Sequence, residues 1–163
     1  MSTENRGRTI VTAMAASAVI IFGIATHERF VPMPYMPTPQ DVPTQGYGTT
    51  VNPDTGKRVR LSDPRIDEAT AKRWLIKDVR SIEAGMRRCV KVPVYQHEWD
   101  AYTSLTYNIG VGAFCGSTLV RRLNAGDYTG ACRQILRWDR QKGRVLRGLT
   151  KRRQAEYKLC TGV

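Results

Sequence analysis

Apolar and polar positions are arranged in three different ways along the 163 residues. From Thr9 to Thr26, TIVTAMAASAVIIFGIAT holds no charged side chain, and its length is close to the minimum that spans a bilayer core. From Phe30 to Thr50, Pro32, Pro34, Pro37, Pro39 and Pro43 forbid helix and confine any strand to an edge or turn. Gly46-Tyr47-Gly48 allows a tight backbone, and Val51 to Arg60 reads as a hairpin turning at Pro53-Asp54-Thr55-Gly56. The remainder is helical in period. Ser62 or Asp67 can cap a long helix with Leu75, Val79, Ile82 and Met86 on one face, ending before Pro93. From Glu98 the period repeats through Trp99, Tyr102, Leu105 and Ile109. Shorter helices are predicted at Ser117 to Leu123, Tyr128 to Trp138 and Leu149 to Leu159, punctuated by Gly110, Gly112, Gly126 and Gly143. The pattern predicts a small β-containing lobe followed by a helical one, with room for one domain and an appended segment.

Charge narrows the partners. Lys and Arg number 26 against 14 acidic residues, a net charge of +12 that draws the chain to polyanions: nucleic acid, anionic lipid or the bacterial envelope. The basic residues are spread as pairs along helical segments, and no zinc-finger, KH or RRM pattern occurs, so nucleic acid is set aside. Cys89, Cys115, Cys132 and Cys160 form no C-x-x-C pair, and His27 and His97 lie far from them in sequence, so no metal is expected. Two disulfides in an oxidising compartment are the expectation, with four reduced core thiols as the alternative. Of the three connectivities, Cys115 with Cys132 and Cys89 with Cys160 is the expectation. Trp74, Trp99 and Trp138 could line a sugar cleft, but aromatics at helical spacing are more often packing residues, and no site is assigned to them.

Arg6 and Arg8 precede the apolar run, an order that keeps the N-terminus in the cytoplasm and exports the residues beyond the run. The run is diluted by alanine, threonine, serine and Gly23. It suits a cleaved signal peptide, a stable anchor, or a segment that inserts, leaves the membrane and then folds.

Glu28, Tyr35, Thr44 and Gly46-Tyr47-Gly48 resemble the active-site signature of the phage-type lysozymes, E-x8-[DC]-x5-T followed by x-G-Y-G. YTSLTYNIGVGAFCGSTLVRRLNAGDY, Tyr102 to Tyr128, is similar to the same family's Y-N-x-G-x-x-x-F-x-x-S-T-L block, and GLTKRRQAEYKLC, Gly148 to Cys160, to its G-L-x-x-R-R-x-x-E-x-x-L-C ending. The resemblance implies an α+β lysozyme fold with a cleft between two lobes, no cofactor, and peptidoglycan as substrate. Glycosidic cleavage needs a protonated carboxyl for the leaving oxygen and a group opposite that positions water. Glu28, beside an apolar segment, fits the first role.

In that family the acid follows the first helix, which here can be built only from the apolar run. The chain therefore resembles a signal-anchor-release endolysin: residues 1–27 tether it inactive in the inner membrane, facing the periplasm, then become the first helix on release. The remainder, 28–163, is the catalytic domain, with the active-site and β region at 28–66, a connecting helix at 67–92 and a helical lobe at 93–163. Some relatives use a cysteine within the anchor as a switch; this anchor has none.

The departures are equally specific. The family's aspartate position falls on Pro37 counted from Glu28, or on Thr38 counted back from Thr44. Asp41 is the one carboxylate in the loop, so Asp41 or Thr38, with Thr44, is expected to hold the water. Thr49 replaces the usual histidine, which removes an ion pair to Asp78. Asn108 is a substrate contact by motif. The expected function is a monomeric, inverting endolysin cleaving the β-1,4 bond between N-acetylmuramic acid and N-acetylglucosamine for host lysis. The rival is a weakened, basic, membrane-anchored wall-binding protein on the same scaffold.

Overall fold

The computed structural model describes residues 7–163; Arg6 lies outside them. Contacts divide the described residues into two units, Ala18–Ser81 and a helical unit made of residues 7–17 together with Ile82–Val163.

The Ala18–Ser81 unit opens with α1, Ala18–His27, followed by β1, Val31–Tyr35, and β2, Thr44–Gly46. The strands are antiparallel, pairing Val31 with Gly46 and Tyr35 with Thr44, and β1 carries the extra residues as a bulge. Pro32 and Pro34 sit in this short, two-stranded sheet, where a missing N–H costs little. The predicted turn at 53–56 forms, with the Gly56 N–H on Asn52 O at 2.8 Å, but its arms make a single bridge, Val51 to Arg58. Asp54 ties the turn to α2, Glu68–Cys89: it accepts from Trp74 Nε1 at 2.7 Å, Lys77 Nζ at 2.5 Å and Arg73 at 3.2 Å. Asp67, rather than Ser62, caps α2 by accepting from the Thr70 N–H at 2.7 Å. Leu75 and Val79 bury as the period requires.

The helical unit comprises the last turns of α2 with α3, Gln96–Ile109, α4, Val111–Cys115, α5, Thr118–Asn124, α6, Tyr128–Ile135, and α7, Arg147–Thr161. A hairpin, β3 Arg140–Gln141 with β4 Arg144–Val145, precedes α7. Met86, Trp99, Tyr102, Leu105, Phe114, Leu123 and Ile135 form the core. Central α3 departs from the one-faced helix that its period suggests: every residue from Glu98 to Thr106 is buried. Its polar side chains are paired instead, Ser104 Oγ donating to Glu156 at 2.7 Å and Thr106 Oγ1 to Tyr102 O at 2.6 Å.

The apolar run is α-helical in its second half alone. Residues 9–17 form a bridge, Thr9 to Val94, a 3-10 turn at Val11–Ala13 and an extended strap. The strap's backbone is met by side chains of the helical unit: the Ser17 N–H donates to Asp100 at 2.8 Å, the Ala16 N–H to Glu83 at 2.5 Å, and Gln96 donates to Ala15 O at 2.8 Å. Arg87 donates to Val11 O at 3.1 Å and to Met14 O. These partners take over the hydrogen bonds that a helix would have made internally.

The disulfides correct the pairing expected from sequence. Cys89 bonds Cys115 and Cys132 bonds Cys160, with Cα separations of 5.6 and 5.7 Å. The bridges follow helix adjacency: one joins the ends of α2 and α4, the other the packed pair α6 and α7. Spacing along the chain carries no information about which helices are neighbours.

Candidate active site

Glu28 directly follows α1, its N–H donating to Ile24 O at 2.8 Å, and its side chain is half-buried. The Gly46-Tyr47-Gly48 turn brings backbone to this carboxyl. Gly48 has φ +86°, and a Cβ there would lie 3.4 Å from Glu28 Oε2; Gly46 has φ +68°, and a Cβ there would meet Ala71 Cβ at 3.2 Å. Both positions therefore favour glycine for conformation, and Gly46 for space as well. Tyr47 between them is buried, donates its hydroxyl to Glu68 at 3.0 Å and packs on Phe30, ring centroids 5.8 Å apart.

Thr44 begins β2 opposite Tyr35. It is 7 % exposed, and its hydroxyl has no hydrogen-bond partner among the described residues. A buried hydroxyl in this state calls for an ordered water or a ligand. Thr38 and Asp41 are the two ends of one turn, the Asp41 N–H donating to Thr38 O at 3.0 Å; Asp41 is exposed and Thr38 half-buried. Pro37 immediately precedes this turn.

Thr49 does not leave Asp78 empty-handed. Its hydroxyl donates to Asp78 Oδ2 at 2.8 Å, so a neutral hydrogen bond stands where an ion pair was ruled out. Burial pushes the Asp78 carboxyl up to about 6, the Thr49 bond lowering it in part.

Asn108, near the C-terminal end of α3 in the helical unit, is exposed and accepts at Oδ1 from Arg153 Nη1 at 3.0 Å. Arg153 is fully buried and pairs with Glu156 at 2.7 Å. Arg153 ends the G-L-x-x-R-R block, whose spacing alone does not reveal that it holds the Asn108 carboxamide. With Oδ1 occupied, the Asn108 amide is held with its N–H2 as the available donor. Trp74 and Trp99 are packing residues, 4 % and 0 % exposed, their indoles donating to Asp54 and Glu83. No group of three or more His, Cys, Asp or Glu among the described residues is placed to hold a metal ion.

Helices dominating, with a small sheet after the first of them, make an α+β fold of the lysozyme-like class. The phage lysozyme family profile matches residues 25–156, and the chain belongs to that family. The SAR-endolysin of Enterobacteria phage P21 is 33% identical over 148 residues, covering 91% of this chain and 87% of that protein. Among solved structures, the endolysin from Escherichia coli O157:H7 phage FAHEc1 superposes with a TM-score of 0.77 at 32% identity, covering 91% of this chain and 94% of that one. The muramidase domain of SpmX from Asticaccaulis excentricus gives a TM-score of 0.76 at 26% identity, covering 90% and 97%. The chain is thus an endolysin-type lysozyme.

Proposed function

We propose that this lysozyme is a muramidase, cleaving the β-1,4 bond between N-acetylmuramic acid and N-acetylglucosamine in peptidoglycan. Glu28 gives its proton to the departing glycosidic oxygen. A water held at Thr44 attacks the anomeric carbon from the opposite face, inverting it, and passes its proton to Asp41; Thr38 is the alternative water ligand. The observation that carries this reading is the Glu28 carboxyl lodged against Gly48, with the buried, unpartnered Thr44 hydroxyl on the adjoining strand. The likeness to the muramidase domain of SpmX supports it. Wall-lysis assays test it: Glu28→Gln is expected to be inactive and Thr44→Val severely impaired. Full lysis by Glu28→Gln would end the reading. Loss in Asp41→Asn assigns the base to Asp41, and its retention shifts water-holding to Thr38.

Activation by release from the inner membrane belongs to the same proposal. The uncharged run Thr9–Thr26 serves first as anchor and then as strap plus α1. No helix of the described residues is long and apolar enough to cross a membrane, so the two states need different conformations of one segment. Val19 and Phe22 on α1 are 81 % and 67 % exposed, the mark of a sequence not written for water alone. The SAR-endolysin name of a relative supports this order of events. Fractionation of expressing cells is expected to show full-length chain first in the inner membrane and later in the periplasm; a periplasmic chain starting at His27 would contradict it.

A further inference from the structure

The proposed reaction leaves a strongly basic, exposed stretch of the helical unit without a task. Between 136 and 151, LRWDRQKGRVLRGLTK carries six basic residues, Arg137, Arg140, Lys142, Arg144, Arg147 and Lys151, against the single acid Asp139. Every residue from 140 to 148 is exposed. The hairpin β3–β4 gives them a fixed geometry: Lys142 and Gly143 turn with positive φ, and the Leu146 N–H donates to Asp139 O at 2.9 Å. Arg140 lies 4.0 Å from Asp139, a long ion pair on an exposed side chain. Apolar side chains stand among the charges, Val145 at 52 %, Leu136 at 39 % and Leu146 at 38 % exposed.

We propose that this hairpin docks the folded enzyme on an anionic phospholipid surface. Two properties choose lipid as occupant. Four of the six cations are arginines, whose planar forks match phosphate oxygens in pairs. The exposed Val145, Leu136 and Leu146 can enter the headgroup boundary while the guanidinium groups hold phosphates, a pairing of apolar and cationic groups that a lipid surface uses more fully than a hydrated sugar polymer. Such contact keeps the released enzyme beside the membrane it left, facing the wall. The proposal goes beyond the muramidase reading and is independent of Glu28, so each can fail alone.

The test is co-sedimentation of purified full-length protein with vesicles of phosphatidylethanolamine and phosphatidylglycerol, with phosphatidylcholine vesicles and sonicated peptidoglycan as the other arms. Arg140→Ala/Arg144→Ala is expected to weaken binding to the anionic vesicles by about tenfold. Lys57→Ala/Arg58→Ala, which removes equal charge from the other unit, is expected to change it far less. Leu136→Ser/Val145→Ser is expected to weaken the binding that survives high salt. Glu28→Gln is expected to bind like wild type. Circular dichroism melts verify that the variants fold. Equal losses in the two charge variants would reduce the effect to net charge and overturn the proposal. So would loss on peptidoglycan with unchanged vesicle binding, which assigns the hairpin to the wall. Binding to phosphatidylcholine as strong as to the anionic vesicles, in wild type and all variants alike, would assign membrane contact to the apolar N-terminal run and overturn the proposal as well.

Discussion

Asp78 shows how burial changes a residue's chemistry. With Thr49 as its hydrogen-bond donor, burial holds the carboxyl at about 6. The folded state then binds the Asp78 proton more tightly than the unfolded chain, whose value is about 4. Its contribution to stability is full below about pH 4 and is lost as pH rises through about 6. Asp78→Asn should therefore melt like wild type near pH 4 and be more stable by about 1–2 kcal/mol at neutral pH, after allowance for partial solvation. A pH-independent offset in the melts would exclude this linkage. Glu28→Gln belongs to the same scale: turnover should fall by about a hundredfold or more with the melting temperature unchanged. Glu28 was legible because its spacing to Thr44 and Gly46-Tyr47-Gly48 is local in sequence. The task of Arg153 was not, because its partner Asn108 lies 45 positions away and only packing of α3 on α7 brings the two together.

At the scale of elements, α2 and α3 were both readable as helices from their period, but burial on more than one face was not. α2 repeats its face through Leu75, Val79 and Met86 and folds as expected. α3 has neighbours on all sides, a fact that periodicity does not encode. The strands β3 and β4 are two residues each, too short for alternation to register. The apolar run reads as one helix because hydropathy counts side chains, whereas its first half is extended by polar partners supplied from the helical unit. Arg8 closes that strap. Its guanidinium pairs with Glu98 at 2.8 Å, both side chains buried, and lies over the Tyr95 and Tyr128 rings at 4.3 and 3.6 Å. Arg8→Ala leaves Glu98 buried without its cation, and should lower stability by about 3 kcal/mol in denaturant titrations. A change below about 0.5 kcal/mol would mean that the strap is not fixed there.

Across the whole molecule, two short-range covalent loops reinforce the helical unit. Cys89–Cys115 and Cys132–Cys160 span 26 and 28 positions, loops whose closure entropy stabilises by about 3–4 kcal/mol each. Peptide mapping without reduction should recover these two links, and a Cys115–Cys132 peptide would contradict the fold. Fold class and family were readable from three motif blocks spread along the chain; pairing and strap were not, since both depend on contacts distant in sequence. The central claim is that Glu28 drives muramidase chemistry. Its most direct test is mass spectrometry of purified peptidoglycan digested by the enzyme and then reduced with borohydride. The account predicts fragments ending in reduced N-acetylmuramic acid from wild type and none from Glu28→Gln. Fragments ending in reduced N-acetylglucosamine, or an unchanged product set from Glu28→Gln, would contradict it.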